Sequence, residues 1–210
     1  MKWKGAYEGY GLPGALHHRV YLPGSVLQRR LLDSAWETLM RIAADTADVD
    51  ALIFLGVPVR NKGKLYNAAA VLNRGEILGL VPKSYLPNYG EFYEQRHFVS
   101  GLGCLEFMSI NGKKIPFGTN LLFVCEELQE LIVAAEICED LWVNMPPSVI
   151  HAQAGANLIV NLSASNEMVG KDSYRRSWYQ DSQPDWCAAM CMANAGEGES
   201  TQDLVFGARI

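Results

Sequence analysis

The sequence predicts an α+β or α/β sandwich, in which helices cover the outer faces of packed sheets. Three observations predict it: short apolar strands recur along the 210 residues, amphipathic segments separate some of them, and turn residues separate others. A hydrophobic content of 49% and a charged content of 20% are ordinary for a globular domain. A chain of this length can bury one sizeable core. We therefore expect one layered domain without internal repeats.

The first part of the chain predicts a helix followed by strands. Apolar residues recur at three- and four-residue intervals over residues 31–42, which predicts an amphipathic helix. Residues 51–59 form a short apolar run that ends at a proline and an arginine, which predicts a buried strand. Apolar runs at 65–72 and 76–80 flank an Asn-Arg-Gly segment, which is a strong hairpin signal.

A long loop comes next, and the chain then returns to strands and helices. Residues 81–103 are rich in Pro, Gly and aromatic residues without a period, which predicts a long ordered loop. Ordered loops of this length are usually functional. The remaining predicted elements are strands at 120–125, 131–137 and 157–162, a helix from Pro146 to about residue 155, and a segment at 173–195 that is helical first and strand-like from Cys187.

Charge, hydropathy and cysteine usage exclude several classes of function. The net charge is −5 and the isoelectric point is near 5.4, so the chain lacks the basic surface of a nucleic-acid-binding protein. Its apolar runs are too short to cross a bilayer, and its first residues lack the apolar core of a secretory signal. Five cysteines with few histidines beside them predict no zinc site and a reducing compartment, the cytoplasm.

The strongest chemical signal is a cysteine at the end of an apolar strand. The predicted strand leads directly into Cys138, which is followed by Glu139 and Asp140. A strand end fixes a nucleophile on the sheet and still exposes it to substrate. Because the two carboxylates would raise the pKa of the thiol, a catalytic Cys138 needs a cation or a base from elsewhere. The alternative is an inert buried cysteine, which is our interpretation of Cys104 and Cys125.

Lys83 supplies a candidate cation. It follows the second strand of the predicted hairpin and begins the long loop, so its ammonium group can reach a site at the edge of the sheet. The thiolate is the nucleophilic form of cysteine, and an adjacent ammonium group favours it. The alternative, that a single lysine after a proline is a solvated surface residue, stays open on the residues alone.

The sequence motifs around Lys83 and Cys138 resemble those of the nitrilase superfamily of carbon-nitrogen hydrolases. Lys83 lies in P-K-S-Y-L-P-N-Y-G-E-F-Y-E and Cys138 lies in E-I-C-E-D-L-W-V. A longer match indicates a narrower group within this superfamily. Residues 31–207 resemble the glutaminase domain of glutamine-dependent NAD+ synthetases, with N-L-S-A-S at 161–165 and A-G-E-G-E-S-T at 195–201. The resemblance implies a four-layer αββα sandwich, incomplete at both ends here, and a Glu–Lys–Cys triad.

The resemblance also implies a mechanism, the hydrolysis of glutamine through a thioester. A glutamate takes the proton from Cys138, the thiolate attacks the side-chain amide, and Lys83 with the backbone N–H of Glu139 stabilises the oxyanion. The residues that the resemblance implies for glutamine recognition are Tyr89, Glu94, Ser165 and Lys171. We expect Arg175 and Arg176 to pair with surface acids or with a domain partner.

Further partners follow from the same resemblance. In the family the ammonia travels to a synthetase domain, which uses ATP and Mg2+ to amidate the adenylated nicotinate of deamido-NAD. This chain has no S-G-G-x-D-S-type pyrophosphate loop, so we expect no cofactor, no metal and no synthetase domain in it. The expected partners are glutamine, the separate synthetase domain and further copies of the chain, with no nucleic acid and no membrane.

The glutamate of the implied triad is missing from its expected place. The family motif there resembles F-P-E-L-x-I-T-G-Y-x-C, whereas residues 12–22 are L-P-G-A-L-H-H-R-V-Y-L. Codons exist for these residues that, shifted by one nucleotide, translate as F-P-E-L-S-I-T-G-Y-T-C. We therefore expect residues 1–26 to be a frameshifted segment and residues 27–210 to be a partial glutaminase domain with impaired activity. Two alternatives stay open: a free-standing nitrilase-type amidase, and a non-catalytic fragment that packs against partner subunits.

Overall fold

Helix α1 (Arg29–Asp45) confirms the predicted amphipathic helix. Its buried residues lie three or four positions apart, so one face packs on a sheet. The computed structural model of the chain describes residues 29–171, 173–177, 188–195, 200–201 and 204–206, so the predicted boundary at residue 26 lies outside the described residues. Within these ranges no helix is long and apolar enough to cross a membrane.

A five-stranded sheet follows α1. Its strands are β1 (Ile53–Asn61), β2 (Lys64–Asn73), β3 (Glu76–Pro82), β4 (Leu105–Ile110) and β5 (Lys113–Gly118), in the order β1-β2-β3-β5-β4. Neighbouring strands in this sheet are antiparallel, except for β3 and β5, which run parallel. The predicted hairpin is confirmed, because Arg74 and Gly75 have φ of 47° and 82°, the two positive values that a type I′ turn requires.

A four-stranded sheet forms the second layer of strands. Its strands are β6 (Phe123–Val124), β7 (Ile132–Ile137), β8 (Leu158–Ser163) and β9 (Ala189–Asn194), in that order. β6 is antiparallel to β7, whereas β7, β8 and β9 are parallel. Helix α2 (Pro147–Gln153) provides the crossover that the parallel pair β7–β8 needs. The carboxyl ends of the parallel strands therefore lie at one edge of this sheet. A separate short pair, β10 (Ser200–Thr201) and β11 (Leu204–Val205), is antiparallel.

Three cores arrange these elements in four layers. Leu39 of α1 packs with residues of β1 to β5 on the outer face of the first sheet. Val71 of β2 and Ile137 of β7 lie in a second core, between the two sheets. Ala152 of α2 packs beside Ala134 on the outer face of the second sheet. The layer order is helix, sheet, sheet, helix, so the predicted α+β sandwich is confirmed.

Two elements differ from the sequence prediction. The β4–β5 hairpin is not predicted, because exposed Lys113 and Lys114 and a proline interrupt the alternation of β5. The predicted strand 120–125 is wrong in length, since only the two residues of β6 pair. Leu121 and Leu122 instead pack into two different cores from an unpaired segment, so their hydrophobicity reflects burial and not strand pairing.

Candidate active site

Cys138 lies in a strained turn directly after strand β7. Its φ is 48°, in the left-handed region that residues with a side chain rarely adopt, and it begins the short 3-10 helix Cys138–Trp142. Such a conformation costs on the order of 1–3 kcal/mol and persists only where the surroundings enforce it. The turn leaves 9% of the residue's surface exposed. The predicted position of the thiol at a strand end is therefore observed.

Lys83 is a buried cation at the end of strand β3. Only 1% of its surface is exposed. Its backbone is held on both sides, because its N–H donates to the carbonyl of Asn67 at 2.8 Å and its carbonyl accepts from the N–H of Gly101 at 2.8 Å. Its ammonium group donates to Oε2 of Glu94 at 2.7 Å. The alternative of a solvated surface lysine is therefore wrong.

Glu94 connects the long loop to the first sheet. It begins the 3-10 helix Glu94–Arg96 inside that loop and is buried. Oε2 accepts from Lys83, and Oε1 accepts from Nδ2 of Asn67 on β2 at 3.3 Å. Asn67 was missed in the sequence, where the available signal is the one amide inside the apolar run at residues 65–72. The two hydrogen bonds satisfy both carboxylate oxygens, as burial of a charge requires.

The buried groups control one another's protonation. Burial alone would lower the pKa of Lys83, but the charges of Glu94 and Cys138 outweigh it and keep that pKa above its ordinary value. Burial raises the pKa of the Cys138 thiol, Lys83 opposes the rise, and Glu94 adds to it. At neutral pH Lys83 is therefore an ammonium ion beside a protonated thiol. A thiolate at Cys138 needs a base that removes the proton.

Tyr89 and Glu139 form a hydrogen-bonded pair beside the thiol. The Tyr89 hydroxyl donates to the Glu139 carboxylate, with distances of 2.9 and 3.0 Å to its two oxygens. Burial, then the hydrogen bond to Glu139, then the charge of Cys138 raise the pKa of Tyr89. Because 58% of Tyr89 is exposed, this residue lies at the surface, close enough to Cys138 to interact with its charge.

Ser165 and Lys171 lie on the segment that follows β8. The ammonium group of Lys171 donates to the side chain of Asn166. Burial lowers the pKa of Lys171, the charge of Arg175 lowers it further, and Cys138 acts in the opposite direction. Oγ of Ser165 accepts from the guanidinium group of Arg175 at 3.3 Å. Ser165 and Lys171 thus lie on one segment, and Lys171 is close enough to Cys138 to interact with its charge.

Arg175 pairs with Glu167 at 3.4 Å, and 37% of the Glu167 side chain is exposed, so the predicted pairing with a surface acid is confirmed. Arg175 itself is buried, with only 5% of it exposed. Its guanidinium group also donates to the carbonyl of Asn166 at 2.9 Å. Since the same group holds Ser165, Arg175 fixes the segment after β8. Its neighbour Arg176 is exposed.

The described residues offer neither a metal site nor an obvious base for the thiol. They contain no group of three or more His, Cys, Asp or Glu residues that could hold a metal ion. Glu94 and Glu139 are carboxylates that act on Cys138. Glu94 accepts one hydrogen bond at each oxygen, and Glu139 accepts the hydroxyl hydrogen of Tyr89. Residues 12–22, where the sequence analysis expects the missing glutamate, lie outside the described residues.

Comparison with known proteins decides the family. The sequence profile described as "Carbon-nitrogen hydrolase" matches residues 13–198. The chain belongs to the carbon-nitrogen hydrolase family. This carbon-nitrogen hydrolase is similar to the glutamine-dependent NAD(+) synthetase of Mycobacterium tuberculosis, with 42% identity over 181 residues. The match covers 86% of the chain and 27% of that relative, so the chain spans about a quarter of the length of the relatives it matches.

Solved structures show the same fold. A glutamine-dependent NAD(+) synthetase from Cytophaga hutchinsonii superposes with a TM-score of 0.74 and 27% identity, over 86% of this chain and 28% of that one. A carbon-nitrogen hydrolase from Helicobacter pylori G27 superposes with a TM-score of 0.60 and 18% identity, over 83% of this chain and 59% of that one. The fold that the sequence resemblance implies, that of the nitrilase superfamily, is therefore confirmed.

Proposed function

We propose that this carbon-nitrogen hydrolase is the glutaminase domain of a glutamine-dependent NAD+ synthetase, which releases ammonia from glutamine through a thioester on Cys138. The observation that carries the proposal is the arrangement of Cys138. The thiol is held by a strained turn at a strand end, and although burial raises its pKa, Lys83 is close enough to oppose that rise. The relatives that match over most of this chain are named as glutamine-dependent NAD+ synthetases, which supports glutamine as the amide.

The reaction needs a thiolate, an amide carbon and stabilisation of the oxyanion. The thiolate sulfur of Cys138 bonds to the amide carbon, and the negative charge moves to the amide oxygen. Lys83 stabilises that oxyanion together with the backbone N–H of Glu139, because donors must point to the developing charge. The base returns the thiol proton to the amide nitrogen, so that collapse of the intermediate breaks the C–N bond and releases ammonia. Water then cleaves the thioester to give glutamate and restores the thiol.

Recognition of glutamine requires partners for an α-carboxylate and an α-ammonium group. We assign the carboxylate to Lys171 and Ser165, because both lie on the segment after β8 and Lys171 is a cation close to Cys138. Tyr89 borders the entrance, where it is half exposed. Glu94 borders the amide end of the substrate, because it is hydrogen bonded to Lys83.

We assign the amidation that uses the ammonia to a synthetase domain and not to this glutaminase domain. Amide hydrolysis by Cys138 needs no cofactor, and we assign ATP and Mg2+ to the synthetase domain that accepts the ammonia. The proposed setting is the cytoplasm, with a homo-oligomer of full-length synthetase subunits. As given, the polypeptide lacks the Phe-Pro-Glu-Leu motif, and Glu94 and Glu139 are both occupied by hydrogen bonds. We therefore propose that it hydrolyses glutamine slowly, because it lacks a base that removes the proton from Cys138.

The test compares three chains for glutamate release. They are the given chain, a chain with F-P-E-L-S-I-T-G-Y-T-C in place of Leu12–Leu22, and that repaired chain with its new glutamate changed to glutamine. A positioned base typically contributes about 10²–10⁴-fold, so only the repaired chain should be that much faster. Equal rates in all three would overturn both the frameshift and the triad.

Labelling of the repaired chain tests the nucleophile separately. A diazo-ketone analogue of glutamine should modify Cys138, and the peptide that carries the adduct is identified by mass spectrometry. Cys138→Ser should abolish the labelling, whereas Cys191→Ser, which changes an exposed free cysteine, should not. An adduct on Cys104 or Cys125 would refute the assignment of Cys138.

A further inference from the structure

Asp140 is a buried carboxylate that accepts three backbone hydrogen bonds. Only 2% of it is exposed. Oδ1 accepts from the N–H groups of Ser84 and Tyr85 at 3.1 and 2.7 Å. Oδ2 accepts from the N–H of Ile137 at 3.0 Å. The two oxygens therefore bind two different parts of the chain, 55 and 56 residues away in one case and three residues away in the other.

The donors are the backbone neighbours of the two proposed reacting residues. Ser84 directly follows Lys83, and Ile137 directly precedes Cys138. The backbone of Lys83 forms its other hydrogen bonds with Asn67 of the first sheet and with Gly101 of the long loop. Cys138, in contrast, directly follows β7 of the second sheet. The Asp140 carboxylate therefore joins the two sheets beside Lys83 and Cys138, whose charges interact.

We propose that Asp140 is a positioning residue, whose carboxylate sets the separation between Lys83 and Cys138 by holding the backbone beside each of them. This inference rests on the proposed function, since it takes those two residues as the reacting pair. It also accounts for the strained φ of Cys138, because the bond from Ile137 closes the turn around that residue. Strain of this kind persists only where the surrounding structure enforces it.

A carboxylate suits this place better than an amide would. Three N–H donors converge on both oxygens, and an ionised carboxyl group accepts at both. An asparagine offers one acceptor and one donor, so its NH2 group would face an N–H group and leave it without a partner. Burial raises the pKa of Asp140 to about 7 and the charge of Glu136 adds to the rise, whereas Lys83 and the backbone hydrogen bonds lower it. The charged groups that act on Asp140 are thus Lys83, directly after β3, and Glu136 on β7.

The decisive variant is Asp140→Asn, and the measurement is the pH profile of Cys138 alkylation by iodoacetamide, followed peptide by peptide. An opposite charge nearby lowers the pKa of an acid by roughly 1–3 units. If the Lys83 ammonium group moves away from Cys138 in the variant, the apparent pKa of Cys138 should therefore rise by about one unit or more. Removal of a negative charge alone, or greater exposure of the thiol alone, would each lower that pKa. An unchanged or lowered apparent pKa in a folded variant would overturn the proposal.

A matched control separates positioning from general destabilisation. Leu39→Ala removes a fully buried side chain from the core between α1 and the first sheet, on the face opposite to the site. It should lower the melting temperature and leave the apparent pKa of Cys138 unchanged. The exposed Cys191 serves as an internal reference in every sample. A shift of the same size in Leu39→Ala would show that loss of stability alone moves the thiol, against the proposal.

Hydrogen exchange on the unaltered chain gives a second test that does not depend on folding of the variant. If one carboxylate holds the amides of Ser84, Tyr85 and Ile137, all three should share one protection factor, since they open together when the side chain leaves. Independent protection of Ile137 would contradict the link. Neither test measures glutamine hydrolysis, so Asp140 can fail as a positioning residue while the glutaminase assignment stands, and the labelling of Cys138 decides the latter.

Discussion

Removal of the charge of Glu94 should destabilise the chain strongly. Lys83 and Glu94 form an ion pair at 2.7 Å with side-chain exposures of 1% and 5%, so neither charge can turn to water. Glu94→Gln leaves the Lys83 ammonium group buried and unpaired. Breaking a buried pair in this way typically costs about 3–5 kcal/mol. The loss is a large fraction of the total, since domains are stable by only about 5–15 kcal/mol.

Urea denaturation measures this cost and includes its own control. With a slope of about 2 kcal/mol per molar, a loss of about 3–5 kcal/mol moves the unfolding midpoint down by about 1.5–2.5 M. The matched control is Glu76→Gln, which breaks the pair of Lys113 and Glu76 at 2.6 Å with exposures of 64% and 61%. An exposed pair contributes at most about 1 kcal/mol, so this midpoint should barely move.

A double variant tests the cause of the loss. Lys83→Met combined with Glu94→Leu removes both charges and keeps apolar volume, and such replacements of buried pairs are often neutral or stabilising. The double variant should therefore be more stable than Glu94→Gln alone, although it should be inactive because Lys83 is gone. If Glu94→Gln costs no more than Glu76→Gln, the burial argument for Lys83 is refuted.

Two further predictions concern the titration of Asp140 and the core under α1. The folded chain protonates Asp140 at about pH 7 and the unfolded chain near 3.8. Between these values the folded state binds one more proton than the unfolded state, so the free energy of unfolding should fall as pH rises through this window. The fall for this group should be on the order of 4 kcal/mol. The same dependence of unfolding free energy on pH in Asp140→Asn would contradict this. Phe117→Ala should cost about 3–5 kcal/mol by urea denaturation, because Phe117 is fully buried and packs edge to face on Tyr66; a cost below 1 kcal/mol, on the scale of the exposed-pair control, would show that this core is loosely packed.

The sequence by itself determined the local elements and singled out two side chains of the candidate site. Residues 31–42 repeat apolar positions every three or four residues, and this period specifies a helix whatever the helix contacts. Arg74-Gly75 specifies a tight turn in the same local way, since few residues accept a positive φ. Cys138 at a strand end and Lys83 after the hairpin could be singled out because each stands at a boundary between two such patterns.

Only the tertiary structure decided what surrounds those side chains. The packing of the long loop on β2 determines the burial of Lys83, its ion pair with Glu94 and the hydrogen bond from Asn67 to Glu94. No local periodicity in the sequence predicts that packing. The three hydrogen bonds of Asp140 join residues up to 56 positions apart. Arg175 is buried where its guanidinium group binds Ser165 and Asn166, after the end of β8. A charged residue reveals little of its burial in the sequence, because partners brought by distant elements determine whether its desolvation is compensated.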